Sequence, residues 1–234
     1  MDKKTIGIIG GMGPMATADL FTKIIHLTDA KMDSEHIHII IDNNPQIPDR
    51  TSAILHGTES PLPYLVQSAT CLKEAGADFI IIPCITSHGF YNELIRQVDI
   101  PILNIVEETA KYLVSISVNK VVLLATDGTR HTNVFGDVFK KFDIELLYPS
   151  NSVQADLMDI IYKGIKAGAE AWDCTTLNIE LDRLKNDGAA AVILGCTELP
   201  LAAKLYGITG SLVDPTTVLA KAAIINAGYK LRTI

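Results

Sequence analysis

The chain has 234 residues, of which 48% are apolar and 20% are charged, a composition typical of globular proteins and not of disordered or collagen-like chains. It has 20 lysines and arginines and 27 aspartates and glutamates, so the net charge is −7. The sequence contains no cationic cluster that would favour nucleic-acid binding. No apolar run approaches the ~18 residues that span a bilayer, and the N-terminus runs directly into a strand pattern. We therefore expect a cytoplasmic protein with neither nucleic-acid nor membrane partners.

Short strand-like runs alternate with helical patterns along the whole chain. The strand-like runs are largely apolar, as is typical of strands covered on both faces, and they span residues 5–9, 37–41, 79–82, 100–103, 121–125, 145–147, 191–194 and 211–213. The helical patterns include residues 62–75, 88–97, 107–114, 152–165 and 175–185. This alternation predicts an α/β fold with parallel-rich sheets and crossover helices.

The two halves of the chain resemble each other. Segment 72–84 (LKEAGADFIIIPC) aligns with segment 184–196 (LKNDGAAAVILGC), and aligned positions are 112 residues apart. Such a period is far too long for a solenoid. It predicts two similar α/β domains related by a pseudo-twofold, with a cleft between them. The expected first domain is 1–104 plus 214–234, and the second is 105–213.

The repeat brings one cysteine of each half, Cys84 and Cys196, to equivalent places between a strand and a helix. Ligands of open α/β sheets bind beyond the carboxyl ends of the strands, so the two thiols are expected to face one cleft. Both cysteines could instead be buried residues that pack in the core, but the polar residues that follow each cysteine favour a functional site. A helix N-terminus favours a thiolate. Two opposed thiols can remove a proton from one face of a carbon and deliver another to the opposite face.

The other two cysteines, Cys71 and Cys174, lie in helical patterns and are interpreted as packing residues. No C-x-x-C pair occurs, and the histidines at 36 and 38 have no third ligand nearby, so no metal site is expected. The glycine turn at 11–16 (GMGPMA) fits the G-x-G-x-x-A dinucleotide fingerprint, but the acidic residue that such a site needs about 20 residues later is absent, since the nearest candidate is Asp42. We expect this turn to receive a substrate carboxylate near Met12.

Five motifs carry a resemblance to a known family: GGMGP at 10–14, NNPQIPDRT at 43–51, PCITSH at 83–88, TDGT at 126–129 and GCTELP at 195–200. On these motifs the chain resembles the aspartate/glutamate racemases, which interconvert amino-acid enantiomers, and the loop ending in PDRT resembles the aspartate branch. The resemblance implies that Cys84 and Cys196 are the paired catalytic acid and base. It also implies that no cofactor takes part and that the protein is a homodimer.

The motifs also indicate which residues surround an amino-acid substrate with two carboxylates. The planar guanidinium of Arg50 can bind a carboxylate through two parallel hydrogen bonds, and the resemblance makes Lys166 a second cation. Glu198 either lies in the first turn of a helix, where the helix dipole stabilises its charge, or accepts a hydrogen bond from the substrate ammonium. The expected substrate-binding residues are Met12, Asn43, Arg50, Thr86, Thr126, Thr129, Lys166, Thr197 and Glu198.

Ile85 departs from the family pattern, in which the first cysteine motif usually reads Pro-Cys-Asn-Thr. An isoleucine lacks the donors and the acceptor of that asparagine. Three functions stay open for this reason: racemisation of aspartate, with glutamate as a related substrate; another carbanion reaction (isomerisation or decarboxylation of a carboxylic acid) or racemisation of a different amino acid; and ligand binding without catalysis. His88, four residues after Cys84, is interpreted as a helix-face residue rather than one that tunes the thiol.

Overall fold

Two parallel sheets organise the chain in a computed structural model that describes residues 3–233. The first sheet has the strand order β2-β1-β3, and the second has the order β5-β4-β6-β7. The strands are β1 (Ile6–Gly10), β2 (Ile39–Asn43), β3 (Phe79–Ile81), β4 (Lys120–Ala125), β5 (Glu145–Leu147), β6 (Ala191–Gly195) and β7 (Leu212–Val213). The predicted α/β class with parallel sheets is confirmed.

Eleven α-helices are described in residues 3–233. They are α1 (Pro14–Leu27), α2 (Arg50–His56), α3 (Leu62–Glu74), α4 (Tyr91–Gln97), α5 (Ile105–Ser115), α6 (Asp127–His131), α7 (Val134–Phe139), α8 (Asn151–Asp159), α9 (Thr175–Asn186), α10 (Leu199–Tyr206) and α11 (Pro215–Asn226). Short 3₁₀ turns lie at Asp33–Glu35, Thr86–Phe90 and Lys140–Phe142, and a π-helix at Ile160–Ile165 continues α8. None of the helices described is long and apolar enough to cross a bilayer.

The strand expected at residues 100–103 is reduced to one parallel bridge between Ile80 and Ile102. Pro101 has no N–H to donate to the sheet. Asn104 then caps α5, because its Oδ1 accepts from the backbone N–H groups of Val106 and Glu107. With this bridge counted, the first sheet has the same order as the second, which agrees with the internal repeat.

Alternation along the strands divides the apolar side chains between the two faces of each sheet. Ile6 and Ile8 of β1 and Val121 and Leu123 of β4 belong to one central cluster with α1, α5, α7 and α11. The opposite faces pack against α3 and α4 in the first sheet and against α8, α9 and α10 in the second.

The C-terminal helix α11 packs against both α1 and α5, so it contacts both halves of the chain. Buried side chains of both halves share the central cluster. The proposed domain boundaries, the homodimer and the cytoplasmic location stay predictions of the sequence.

Candidate active site

The two repeat-related cysteines line one small cavity. Cys196 directly follows β6, and Cys84 lies three residues beyond β3. Their exposed fractions are only 5% and 4%. The cavity volume is about 10 Å³, which is the room of about one water molecule. The expected site residues all line this cavity, except Asn43 and Thr129.

Asn43 ends β2 at the outer edge of the first sheet and is exposed. Thr129 is buried behind the cavity, where its hydroxyl lies 3.0 Å from the hydroxyls of both Thr86 and Thr126. The Thr86 and Thr126 hydroxyls are also 3.0 Å apart. This cluster of three hydroxyls joins the two halves of the chain at the site.

Two glycine turns allow close approaches of the backbone beside the cavity. Gly11, in the turn after β1, has a φ of +91°, and a Cβ there would lie 2.3 Å from the backbone of Asn44. Gly128, in the corresponding turn after β4, lies against α2, and a Cβ there would be 2.9 Å from the Cα of Thr51. A larger side chain at Gly11 would push apart the loops that carry Met12 and Arg50, and one at Gly128 would push the turn after β4 away from α2.

Three backbone carbonyls hold the Arg50 guanidinium in place. Nη1 donates to the carbonyl oxygens of Ile47 and Pro48 at 3.1 and 3.0 Å, and Nη2 donates to that of Met12 at 3.3 Å. Nε is buried and has no hydrogen-bond partner. Of the five N–H donors of an arginine, the Nε–H and one Nη2–H donate to no backbone carbonyl, and both lie in the plane of the guanidinium.

The charge of Arg50 is balanced by acidic groups on both sides. Burial lowers the pKa of the guanidinium, but the charges of Cys84 and Asp49 outweigh it, so the pKa is raised. Asp49 caps α2 by accepting from the N–H of Ser52 at 2.8 Å. Burial raises the pKa of its carboxyl, but the hydrogen bonds from Ser52, with Lys166 and Arg50, leave it lowered. Arg50 therefore presents a fixed cation beside the Cys84 thiol.

The second thiol contacts a carboxylate instead of a cation. Cys196 Sγ donates to Glu198 Oε2 at 3.0 Å, whereas Glu198 Oε1 is buried and has no hydrogen-bond partner. Burial, followed by the charge of Glu198, raises the pKa of Cys196 well above its ordinary value, and Lys166 only partly opposes this. The expectation that a helix N-terminus makes this group a thiolate is therefore wrong for Cys196, which rests as a thiol.

The π-helix after α8 places two side chains over the cavity. The Tyr162 hydroxyl donates to Asp49 Oδ2 at 3.2 Å, across the gap between the two halves. The Lys166 ammonium lies 4.6 Å from the centroid of the Tyr162 ring and 4.0 Å from Glu198 Oε1. Irregular π turns of this kind are frequent at functional sites.

Three cavity-lining residues, Asp49, Thr51 and Tyr162, were not expected from the sequence. Asp49 and Thr51 flank Arg50 in the PDRT motif, which is a signal that could have identified them. Tyr162 precedes Lys166 by four residues, so both lie on one face of a helical turn.

Ile85 lines the cavity and is 1% exposed, and its side chain also belongs to the central apolar cluster. The wall next to Cys84 is therefore apolar where the family pattern supplies an amide. Among the described residues, no group of three or more His, Cys, Asp or Glu side chains could hold a metal ion.

His88 is buried and contacts the backbone of Cys84 rather than its thiol. Nδ1 lies 3.0 Å from the Cys84 carbonyl oxygen, Nε2 has no hydrogen-bond partner, and the ring stacks on Tyr91 at 5.7 Å. Burial lowers the pKa of His88 to about 4. The imidazole is therefore neutral at pH 7, and its Nδ1–H donates to the backbone carbonyl oxygen of Cys84.

This buried histidine predicts a loss of stability in mild acid. Between pH 6.5 and 4 the unfolded chain binds a proton that folded His88 does not, so the free energy of unfolding should fall by about 3 kcal/mol. His88→Asn keeps a donor near Nδ1 and should flatten this slope in urea titrations at several pH values. His131→Asn, at an exposed histidine, is the control and should keep the wild-type slope. An unchanged slope in His88→Asn would contradict the assignment.

Comparison with known proteins agrees with the geometry. The family model of Asp/Glu/hydantoin racemases matches residues 9–223. The chain is 27% identical over 223 residues to the broad specificity amino-acid racemase RacX of Bacillus subtilis, covering 94% of this chain and 96% of RacX.

Solved structures give the same result. Picrophilus torridus aspartate racemase is 30% identical, with a TM-score of 0.83, and the match covers 98% of this chain and 96% of that one. An aspartate racemase homologue from Pyrococcus horikoshii is 25% identical, with a TM-score of 0.77, over 96% and 99% of the two chains. A glutamate racemase from Francisella tularensis, in complex with D-glutamate, shares the fold at 20% identity and a TM-score of 0.64, over 100% and 86%. The chain thus belongs to the Asp/Glu/hydantoin racemase family and is an isomerase of the racemase class.

Proposed function

We propose that this protein racemises aspartate, with glutamate as a related substrate, by moving protons between Cα and two thiols. One observation carries the proposal: Cys84 and Cys196 line the same buried cavity and have opposite electrostatic partners. Arg50 lies beside Cys84, whereas Glu198 accepts a hydrogen bond from Cys196. A cation stabilises a thiolate and a carboxylate stabilises a thiol, so the pair is arranged as a base and an acid.

In the proposed reaction Cys84 is the first base and Cys196 the first acid. The Cα–H bond of one enantiomer breaks, its proton passes to the Cys84 thiolate, and the electron pair delocalises into the α-carboxylate. The S–H bond of Cys196 then breaks as its proton forms the new C–H bond on the opposite face. Cys196 is left as a thiolate, near the Lys166 ammonium. The other enantiomer reacts by the reverse of these steps, and no cofactor is needed.

The unused polar atoms of the site suit an amino acid with two carboxylates. The two N–H donors of Arg50 that contact no backbone carbonyl can bind one carboxylate, and Lys166 supplies the second cation. Glu198 Oε1 is an unpaired acceptor that the substrate ammonium would satisfy. The similarity to Picrophilus torridus aspartate racemase supports aspartate as the substrate.

The cavity of about 10 Å³ holds no amino acid, so the halves must separate to admit one. Hydrogen bonds across the gap would break, among them Tyr162 to Asp49 at 3.2 Å and the Thr197 hydroxyl to the Pro83 carbonyl at 3.1 Å. The hydroxyl contacts of Thr86 with Thr126 and Thr129, at 3.0 Å, cross the same gap. Their return around the substrate would exclude water from the developing carbanion, where the fixed charges act most strongly.

Proton NMR in D₂O tests the proposal. With purified protein, a reductant and no added cofactor, the α-proton signal of L-aspartate should disappear, and chiral chromatography should show D-aspartate. L-Glutamate is measured in parallel, and protein alkylated with iodoacetamide should show no exchange. Absence of exchange with both substrates would overturn the proposal.

A further inference from the structure

A second cavity lies directly outside the cavity that holds the thiols. Its volume is about 410 Å³, within the range of ligand pockets, and we call it the outer chamber. Both cavities share the side chains of Asp49, Arg50, Tyr162, Lys166 and Glu198 as a common wall. Only side chains therefore separate the outer chamber from the place where Cα would react.

The rest of the outer chamber is uncharged and mostly apolar. Met15, at the start of α1, is 66% exposed, whereas Ile47 is 3% exposed, and Ile165 and two prolines complete the apolar surface. The charges of the common wall cancel, since it has two cations and two carboxylates. This environment favours a neutral, apolar group over a charged one.

Lys166 is the part of the common wall that can move. Three backbone carbonyls hold Arg50, whereas the Lys166 side chain is 27% exposed and its Nζ is 4.0 Å from Glu198, too far for a hydrogen bond. A rotation of Lys166 away from Glu198 would join the two cavities. A substrate side chain could then extend outward from Cα through that opening.

We propose that the outer chamber is a side-chain subsite for a second class of substrate, amino acids with long, neutral, apolar side chains such as methionine. The inference rests on the proposed racemase function. Aspartate would end at Arg50 and Lys166 and leave the chamber empty. A methionine side chain would pass Lys166 and pack against Met15 and Ile165, and the apolar wall at Ile85 would not disfavour it.

The test compares α-proton exchange of L-methionine and L-aspartate in D₂O for three proteins: the wild type, Met15→Trp and Met32→Trp. Met15 is largely exposed, so a tryptophan there is tolerated and fills the chamber. Met32 is 60% exposed and lies outside both cavities, which makes it the matched control. The wild type should exchange both substrates, and Met15→Trp should lower the methionine-to-aspartate rate ratio by about ten-fold or more. Met32→Trp should not change that ratio.

Each other outcome is informative. Exchange of aspartate without methionine in the wild type would overturn the subsite and leave the proposed aspartate racemase intact. Exchange of methionine alone would support the subsite and overturn aspartate as the substrate. An equal loss of both rates in Met15→Trp would show that the chamber is only an entrance, and absence of exchange with either substrate would overturn both proposals.

Discussion

Replacing either cysteine of the pair with serine should abolish racemisation, with a loss of about 10³-fold or more, because a hydroxyl is a far weaker acid than a thiol. Exchange should survive in a restricted form. Cys84→Ser retains the thiol on one face of the substrate, which can remove a proton and return deuterium to the same face. Cys196→Ser retains the thiol on the other face.

The two variants should therefore exchange opposite enantiomers. Deuterium incorporation is measured by NMR with L- and D-aspartate supplied separately, and chiral chromatography measures inversion. Each variant should label one enantiomer without inverting it, and the preferred enantiomer should switch between the variants.

Two further cysteines provide matched controls. Cys71 is exposed on α3, so its expected packing role is wrong, whereas Cys174 is buried against α8 and α9 outside the cavity, as expected. The controls are Cys71→Ser and Cys174→Ser. Both should racemise at the wild-type rate, although Cys174→Ser should be less stable. Full racemisation by either variant of the proposed catalytic pair would contradict the two-thiol mechanism.

The positions of the thiols could be predicted from the sequence because they depend on simple periodic features. Apolar runs identify the strands, and the 112-residue repeat puts Cys84 and Cys196 at corresponding strand ends. Parallel strands end at one edge of a sheet, so a shared site follows. The strand at 100–103 was overpredicted because its apolar pattern continues where Pro101 and the capping Asn104 end the pairing.

The surroundings of the thiols depend on contacts that no local pattern contains. Tyr162 reaches Asp49 only because the helix continues as a π-helix, which changes the direction of its side chains. The protonation of Cys196 follows from burial and from the rotamer of Glu198, which together raise the pKa of its thiol. The outer chamber exists only because loops distant in sequence come together around Lys166.

Glu198→Gln should lower racemisation by about 10²-fold and move its pH dependence. Glutamine has nearly the same shape but no charge, so it cannot offer Cys196 a charged acceptor or pair with the substrate ammonium. Burial and the charge of Glu198 both raise the pKa of the Cys196 thiol, and the substitution removes the second cause. The pKa of Cys196 should therefore fall towards its ordinary value, while burial still holds it above that value.

Exchange of the enantiomer that needs Cys196 as the base should then begin at a lower pH in Glu198→Gln than in the wild type, even though the maximal rate is lower. The rate of that exchange from pH 6 to 10 measures the shift, and Glu170→Gln, which removes an exposed carboxylate, is the matched control. The melting temperature should change little, because the substitution removes a buried carboxylate oxygen without a hydrogen-bond partner but also removes the ion pair of Glu198 with Lys166 at 4.0 Å. A lower rate with an unchanged pH profile would show that Glu198 only binds substrate, whereas a lower rate with a lower melting temperature would point to packing. If the Glu198 carboxylate acts on the Cys196 thiol, the pH profile of the exchange rate should shift without a loss of stability.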